Sequence, residues 1–242
     1  MTDNVFLTRL RMLTDLDRAD LDALADLMGD PNTFAADRKL VGEGERPQRL
    51  HILLDGWAAR AKLLRTGSRH FCGLALPGDV CDVDALHVQV YDYDVVTLTA
   101  CSVVAVDRGA LVALGERRPR IAQAFTWLTF VDNAMLNEAA TSLARRSARE
   151  RLGFLLCELM QRLGVVGRTQ GESFHLPLTQ EKIADALGLT GVHVNRTMMQ
   201  LRSAGLIDMV SNQLTSRDWK ALRRDAGFKA NHLHLEGMRK AA

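Results

Sequence analysis

The sequence predicts an α+β protein with an antiparallel β-roll near its N-terminus, a long central helix and a C-terminal winged helix-turn-helix. Short apolar runs alternate with Gly, Asp and Pro from Phe34 to Val106, as they do in antiparallel β domains. Apolar residues recur at helical spacing from Pro119 to Arg146. Residues 178–205 then combine two short helical patterns with a glycine between them, which is the arrangement of a helix-turn-helix.

The composition indicates a soluble globular protein. Of the 242 residues, 47% are hydrophobic and 25% are charged, which is ordinary for folded domains. No apolar run reaches roughly 18 residues, and residues 1–20 are too charged for a signal peptide. We therefore expect a cytoplasmic protein without a membrane partner. The four cysteines include no C-x-x-C pair, so their spacing indicates neither a zinc site nor a disulfide framework.

The net charge of +2 conceals an uneven distribution along the chain. Residues 1–115 contain 12 Lys and Arg against 17 Asp and Glu, a balance of −5. Residues 116–167 contain 8 against 5, and residues 168–242 contain 11 against 7, which gives balances of +3 and +4. The C-terminal half is therefore the part suited to phosphate groups.

The β domain is expected to contain at least four strands. Two of them, at 50–54 and 57–63, flank an Asp55-Gly56 pair, which supplies the positive φ that a tight turn needs. We therefore expect these two strands to form a hairpin. Further strands are expected at 70–76 and 95–106.

Helices are expected on both sides of the strands. Residues 5–29 carry leucines at helical spacing, and Asp15 and Asp17 can cap the second of two short helices. The long helix 119–146 is apolar on two faces, so it can pack against its own domain and against a symmetry mate. A single buried core helix is the alternative. From Trp219 onward we expect a short basic helix and then a disordered tail.

The helix-turn-helix is specified at several separate positions. Thr179 can cap the first helix, Gly188 can end it in the left-handed conformation, and Thr190 can cap the second helix. One face of each helix is apolar, through Ile183, Ala184 and Leu187 in the first and Val194, Met198 and Leu201 in the second. The opposite face of the second helix carries Val192, Asn195, Arg196 and Met199. That face is available to enter the major groove of DNA.

Two further features distinguish this motif from a helical hairpin buried in a larger domain. Arg196 places a long cation in the middle of the second helix, opposite the apolar stripe. After that helix, residues 206–210 and 213–215 flank a Ser211-Asn212 turn, which predicts a short β-hairpin. A hairpin in this place completes a winged helix-turn-helix.

These stretches resemble a known family. The sequence LTQEKIADALGLTGVHVNRTMMQLRSAGLI at 178–207 is similar to the DNA-binding domain of the Crp/Fnr superfamily of bacterial transcription regulators. V-G-E-G-E at 41–45, ILLDGWAARAKL at 52–63 and L-P-G-D at 76–79 resemble the double-stranded β-roll of cyclic-nucleotide-binding domains. In such a roll, the chain turns its corners at the glycines that correspond to Gly42, Gly56 and Gly78.

The resemblance implies three parts and a set of partners. A β-roll sensor domain would cover residues 1–115, a dimerisation helix 116–146 and a DNA-binding domain 147–242. The implied partners are double-stranded DNA, a second copy of the chain, RNA polymerase and a small-molecule effector. The run 145–152 resembles the hinge of the family, and its arginines face either phosphate or, as the simpler expectation, solvent.

The sequence does not identify the effector. Family members that bind cyclic nucleotides carry a Gly-Glu pair and then an Arg-Ser or Arg-Thr pair after the Gly-Asp of the roll. Here Asp82 and Val83 stand at the first pair, and Tyr93-Asp94-Val95 stands in the arginine-bearing segment. Residues 82–94 contain six acids or tyrosines and no Arg or Lys, so we do not expect cyclic AMP to bind.

Two other cofactors of the family were compared with the sequence. Members with an iron–sulfur cluster carry closely spaced N-terminal cysteines, whereas the first cysteine here is Cys72, so no cluster is expected. Haem needs an axial His or Cys, and candidates by residue type alone are His51, His70, Cys72, Cys81 and His87. The cofactor stays undefined, with haem as the remaining alternative.

The resemblance also assigns roles within the second helix of the motif. Arg196 matches the arginine that contacts guanine. Val192 stands where the family has an acidic reader, and Gly191 replaces a side chain at the helix start. His193 and Asn195 are candidates for base or phosphate contacts. Phosphate contacts that fix the register are expected from Thr179, Gln180 and Thr190.

We therefore expect a homodimeric transcription regulator that is switched by an effector in the β-roll. Its two copies of helix 191–204 would read an inverted repeat with half-sites about 10 base pairs apart. The alternative is a ligand-sensing signalling module whose winged helix binds protein. An enzyme is not expected, because the sequence shows no nucleophile elbow, phosphate-binding loop or metal triad.

Overall fold

The computed structural model describes residues 4–235, which form two compact units. The first unit contains residues 4–62, 73–134 and 234–235. The second contains residues 63–72 and 135–233. Within residues 4–235, no helix is both long and apolar enough to cross a membrane.

Two capped helices open the first unit. Helix α1 (Val5–Leu13) begins after Asn4, whose side chain accepts the amide of Phe6 at 3.0 Å. Helix α2 (Arg18–Leu27) begins after Asp17, which accepts the amide of Asp20 at 2.9 Å while Asp20 accepts the amide of Asp17 in return. The predicted helix pair and the predicted cap at Asp17 are thus confirmed, and the reciprocal pair is a capping box.

Seven antiparallel strands build the roll as two sheets. In chain order they are β1 (Asn32–Phe34), β2 (Lys39–Val41), β3 (Arg49–Asp55), β4 (Ala58–Leu63), β5 (Arg69–Ala75), β6 (Asp94–Thr97) and β7 (Cys101–Asp107). One sheet has the order β1-β7-β3, and the other has the order β2-β6-β4-β5.

The predicted hairpin at Asp55-Gly56 is wrong, because β3 and β4 lie in different sheets. Strand β3 pairs with β7, and β4 pairs with β6. Gly56 does adopt the expected positive φ of 86°, but the turn carries the chain from one sheet to the other. A Cβ at Gly56 would overlap the carbonyl oxygen of Ala100. Glycine is therefore required at this corner both for its backbone angle and for space.

The single strand predicted at 95–106 is also divided between the two sheets. Strand β6 ends at Thr97, and β7 begins at Cys101. In the break, the amide of Leu98 donates to the carbonyl of Trp57 at 2.7 Å. The continuous apolar pattern gave no sign of this change of sheet, because inward-facing residues continue on both sides of the break.

The core of the first unit lies between the sheets and extends to the helices. Leu50, Leu53 and Val95 are fully buried. Phe6 of α1 and Phe125 pack with their ring centroids 6.2 Å apart. Each such side chain contributes about 1.5–3 kcal/mol of burial free energy, so the roll and its flanking helices stabilise one another.

Two helices follow the strands, α3 (Arg108–Arg117) and α4 (Pro119–Arg145). Both predicted apolar faces of α4 begin inside the unit's own core. Ile121 and Ala124 are fully buried, and Val131 is 3% exposed. The large apolar side chain that α4 leaves open is Phe130, which is 65% exposed.

The second unit is helical with one small sheet. Its elements are α5 (Ala148–Val165), β8 (Thr169–Gln170), β9 (Ser173–His175), α6 (Gln180–Leu187), α7 (Gly191–Ser203), β10 (Ile207–Val210), β11 (Gln213–Ser216) and α8 (Trp219–Asp225). The sheet order is β10-β11-β9-β8. Leu152 of α5, Val194 of α7 and Leu222 of α8 are fully buried.

Three arginines at the end of α4 and the start of α5 are bonded within the protein rather than solvated. Arg146 donates to Glu138 at 2.5 Å, and Arg149 donates to both carboxylate oxygens of Asp225 at 2.9 Å. Arg151 donates to the carbonyls of Arg146 and Leu187 at 3.0 and 3.2 Å. The expectation of a solvent-facing run is therefore wrong for these three side chains, which join α5 to its neighbours in the second unit.

The tail after α8 is folded as far as residue 235. A short 3-10 helix at Ala230–Leu233 follows α8, and Phe228, His232 and Leu233 are buried. His232 Nε2 lies 3.2 Å from Glu158 of α5. The predicted disorder is therefore wrong for residues 226–235, and residues 236–242 lie outside the described part of the chain.

Candidate nucleic-acid interface

Helix α6 and the turn after it form as the sequence predicts. The Thr179 hydroxyl accepts the amide of Lys182 at 3.2 Å and thereby caps the helix. Gly188 ends the helix in the left-handed conformation, with φ 61° and ψ 40°. The amide of Leu189 then donates to Ala184 at 3.1 Å, which closes the turn.

Helix α7 begins at the second predicted cap. The Thr190 hydroxyl accepts the amide of His193 at 3.2 Å. Val194 and Leu201 are fully buried, so the predicted apolar stripe faces the core. Thr197 on the same face is also buried, and its hydroxyl donates to the carbonyl of His193 at 2.8 Å. The sequence gave no sign of this buried hydroxyl, which is satisfied inside its own helix.

The opposite face of α7 is open. Val192 is 83% exposed and Met199 is 60% exposed. Asn195 and Arg196 are exposed as well, and His193 is half-buried. Within residues 4–235, the Arg196 side chain makes no hydrogen bond or ion pair. A cation with five unused donors therefore projects from the middle of this helix.

The first helical position, Gly191, lies against α6. A Cβ at Gly191 would be 3.2 Å from a carboxylate oxygen of Glu181. This carboxylate lies beside the N-terminus of α7, where the helix dipole favours negative charge. A side chain at residue 191 would therefore require the Glu181 carboxylate to shift. Gln180 is exposed at the start of α6.

The wing follows α7 directly. Strands β10 and β11 pair from Ile207 opposite Ser216 to Val210 opposite Gln213. Ser211 and Asn212 between them have φ of 49° and 63°, as the two central residues of a type I′ turn require. The predicted hairpin is therefore confirmed.

A groove of about 590 Å³ lies between the end of α7 and the base of the wing. Asp208 at its edge accepts from Arg217 at 2.6 Å and lies 3.5 Å from Arg202. The hydrogen bond from Arg217 lowers the pKa of Asp208, so the carboxylate stays ionised. The sequence gave no sign of this cluster, because Arg202 lies on α7, Asp208 on β10 and Arg217 in the loop after β11.

In the first unit, the segment 82–94 is bonded to its own surroundings. Asp82 is fully buried and accepts from the His51 amide and the Tyr91 hydroxyl, each at 2.8 Å. Asp94 accepts the amide of Glu43 at 2.8 Å and pairs with Lys39 at 2.9 Å. Asp82 and Asp94 therefore serve as internal hydrogen-bond acceptors.

Several residues considered as haem ligands already have partners. His51 Nδ1 lies 2.8 Å from Asp82, and His70 Nδ1 lies 2.8 Å from the carbonyl of Asp185. Burial raises the pKa of Cys81, which keeps this thiol protonated. Among residues 4–235, no group of three or more His, Cys, Asp or Glu is placed to hold a metal ion.

Comparison with known families matches both units. Residues 150–225 match the model of the Crp-like helix-turn-helix domain. Residues 31–118 match the model of the cyclic nucleotide-binding domain. The chain belongs to the Crp/Fnr superfamily of transcription regulators. The chain is thus a DNA-binding transcription regulator, as the members of this family are.

Individual Crp/Fnr relatives extend the match over most of the chain. The nitrogen fixation regulation protein FixK of Azorhizobium caulinodans is 29% identical over 198 residues, covering 81% of this chain and 79% of that protein. The transcriptional activator protein FnrL of Cereibacter sphaeroides is 26% identical with the same two coverages. The structure of FixK2 from Bradyrhizobium japonicum superposes with a TM-score of 0.76 at 24% identity, covering 84% of this chain and 99% of that one.

Proposed function

We propose that this Crp/Fnr regulator binds an inverted-repeat operator as a homodimer, with α7 of each copy in the major groove. The observation that carries the proposal is Arg196, an exposed and unengaged guanidinium in the middle of a capped helix. Such a group makes two parallel hydrogen bonds to O6 and N7 of guanine. The half-sites lie about 10 base pairs apart, one helical turn of DNA.

Because residue 192 is valine, the preferred DNA half-site differs from the half-site of a regulator with an acidic residue at this position. Its side chain is 83% exposed at the first turn of α7. Valine cannot accept a hydrogen bond from the amino group of cytosine, but it can contact the methyl group of thymine. We therefore expect guanine at the Arg196 position and a preference for thymine at the neighbouring position.

Phosphate contacts fix the register of this reading. Thr179, Gln180 and Thr190 lie at the starts of α6 and α7, where free backbone N–H groups attract anions. His193 and Asn195 lie on the first turns of α7, within reach of a base or a phosphate. These contacts supply affinity, whereas Arg196 and Val192 supply sequence preference.

The dimer forms along α4. Phe130 is 65% exposed on a helix whose other large apolar side chains are buried or half-buried. An exposed aromatic side chain on a long helix is suited to a two-fold contact with the same helix of a second copy. We also propose that the dimer, bound to its operator in the bacterial cytoplasm, has RNA polymerase as its protein partner.

The test is selection of DNA sites from a random pool by the purified full-length protein. Arg196→Ala is the test variant, and Arg224→Ala, which removes an exposed arginine from α8, is the matched control. We expect the wild type and the control to enrich an inverted repeat with guanine in each half-site. We expect Arg196→Ala to lose about 1–3 kcal/mol of discrimination at that base and to keep its fold. Equal enrichment by all three proteins would contradict the assignment of Arg196.

A further inference from the structure

A largely buried ion pair within the first unit joins strand β4 of the roll to helix α4. The Arg60 guanidinium donates to both carboxylate oxygens of Asp132, at 2.6 and 2.5 Å. The two side chains are only 11% and 19% exposed. Burial by itself lowers the pKa of Arg60, but the bonds to Asp132 more than offset it and the net pKa is raised. The guanidinium is therefore charged, and its two parallel bonds to Asp132 fix orientation as well as distance.

The same guanidinium faces the segment 82–94. Its central carbon lies 5.6 Å from the ring centroid of Tyr93, a cation–π distance. The Tyr93 hydroxyl donates to Asp84, so two residues near opposite ends of the segment are bonded to each other. The charge of Asp84 also acts on Arg60. The Arg60 guanidinium thus lies close to Asp132, Asp84 and the ring of Tyr93.

Gly73 on the adjacent strand β5 makes room for this arrangement. A Cβ at Gly73 would lie 2.8 Å from Nη2 of Arg60 and 3.3 Å from its Nε. Any larger residue would overlap the guanidinium and require the Arg60 side chain to shift. The backbone of Gly73 has no positive φ, so space and not conformation requires glycine here.

We propose that Arg60 and Asp132 take the place of an external ligand, so that α4 is held against the roll without an added small molecule. This inference rests on the proposed function and concerns how that function is controlled. A ligand shifts a two-state equilibrium only through its unequal affinity for the two states. Asp132 is a carboxylate of α4 itself, so it favours the state in which α4 is held against the roll at all times. An anionic effector would have to displace Asp132 and leave a buried charge unpaired, which is costly.

The direct test compares operator binding by the full-length protein and by Asp132→Asn, in buffer without small molecules. Asparagine keeps the size of the side chain but removes its charge. We expect the wild type to bind the selected operator and the variant to bind about tenfold more weakly, in the range of ordinary coupling energies. Glu116→Gln is the matched control, because it removes one carboxylate from an exposed position on α3.

A charge reversal distinguishes the ion pair from a general packing effect. Arg60→Asp and Asp132→Arg should each weaken operator binding, and the double variant should recover most of it. If Asp132→Asn does not fold, Arg60→Lys replaces it, because lysine keeps the charge but loses the two-pronged bond. Gly73→Ala should weaken binding in the same direction, whereas Gly29→Ala, where a Cβ would meet nothing within 4 Å, should not.

Three results would overturn the inference. One is a wild-type protein that binds the operator only after a small-molecule fraction of cell extract or millimolar cyclic AMP is added. Another is native mass spectrometry that shows a small molecule bound to the purified protein. The third is unchanged operator binding by Asp132→Asn. Failure of the proposed function itself has a different signature, because Arg196→Ala and the wild type would then select the same DNA.

Discussion

Thr190 determines where α7 begins. Its hydroxyl accepts the amide of His193, one of the helix donors that no backbone carbonyl can satisfy. The same amide region is the one that we expect to approach a DNA phosphate. The residue therefore connects the stability of the motif to its affinity for DNA.

Replacing Thr190 by alanine removes this cap. We expect the free energy of unfolding of the second unit to fall by about 1 kcal/mol, as measured by urea denaturation followed by circular dichroism. Operator affinity should fall as well, because the first turn of α7 frays. Thr190→Ser keeps an oxygen at the same place and is the control. Equal losses for serine and alanine would show that the hydroxyl is not what caps the helix.

At the residue scale, the sequence predicted the local structure of the helix-turn-helix well. The caps at Thr179 and Thr190 and the left-handed Gly188 depend on local rules that act within four residues, and all three are confirmed. The sequence missed the pair Arg60–Asp132, because two charges 72 residues apart leave no pattern. Asp132 is a polar residue within the apolar pattern of α4, and the arginine that pairs with it comes from strand β4 of the roll.

At the scale of elements, the corner at Gly56 shows why a local turn signal was misleading. Asp-Gly correctly indicates a left-handed residue, but which strands it joins depends on the rest of the roll. Gly56 must leave space for Ala100 as well as adopt a positive φ. Replacing Gly56 would therefore cost free energy in two ways, through backbone strain and through overlap with Ala100.

Gly56→Ala and Gly44→Ala separate these two contributions. Both glycines have a positive φ, 86° and 88°, so both substitutions cost about 1–2 kcal/mol of backbone strain. Only at Gly56 does the new Cβ meet another atom, since nothing lies within 4 Å of a Cβ at Gly44. We therefore expect Gly56→Ala to lower the melting temperature clearly more than Gly44→Ala. Equal decreases in the melting temperatures of the two variants would mean that the chain near Ala100 relaxes to accommodate the new Cβ.

Helix α4 leads to a prediction about assembly. Substituting Phe130 by aspartate places a charge on the exposed face that we assign to the dimer contact, where an unpaired buried charge is strongly unfavourable. We expect the protein to become monomeric in sedimentation velocity and to lose affinity for the inverted repeat. Val112→Asp is the control, since Val112 is 44% exposed on α3. A dimer that persists in Phe130→Asp would exclude this face of α4.

At the scale of the whole molecule, stability depends on pH through groups that shift in opposite directions. Burial alone raises the pKa of Glu158, but hydrogen bonds and charge from His232 and Arg162 reverse this, so its folded pKa lies below the ordinary 4.5. Its stabilisation is therefore present above pH 4.5 and is lost as the pH falls through the folded pKa. Burial raises the pKa of Asp84 above 3.8, so this group opposes folding as it ionises.

Glu158→Gln tests this dependence. We expect the substitution to lower the free energy of unfolding by about 1.5–3 kcal/mol at pH 7. The difference from the wild type should shrink as the pH falls below 4.5, because Glu158 then binds a proton. Urea denaturation between pH 3 and pH 7 gives both the loss of stability at pH 7 and its change with pH. The control Glu116→Gln, at an exposed position, should have nearly the same free energy of unfolding as the wild type at any pH. If the loss of stability in Glu158→Gln were the same at every pH, it would not come from protonation of Glu158.

The division of the roll into two sheets also affects how the chain is made. Strand β7 is the centre of its sheet and pairs with both β1 and β3, so Asn32 has no partner until Val103 has been synthesised. Pairings this distant in sequence form slowly, because a long loop must close first. In the second unit, by contrast, α6 packs on α7 and β10 pairs with β11, although β11 also pairs with the more distant β9. A nascent chain therefore exposes unpaired strand edges until residue 107 has left the ribosome, and the roll is the part for which a chaperone would be needed.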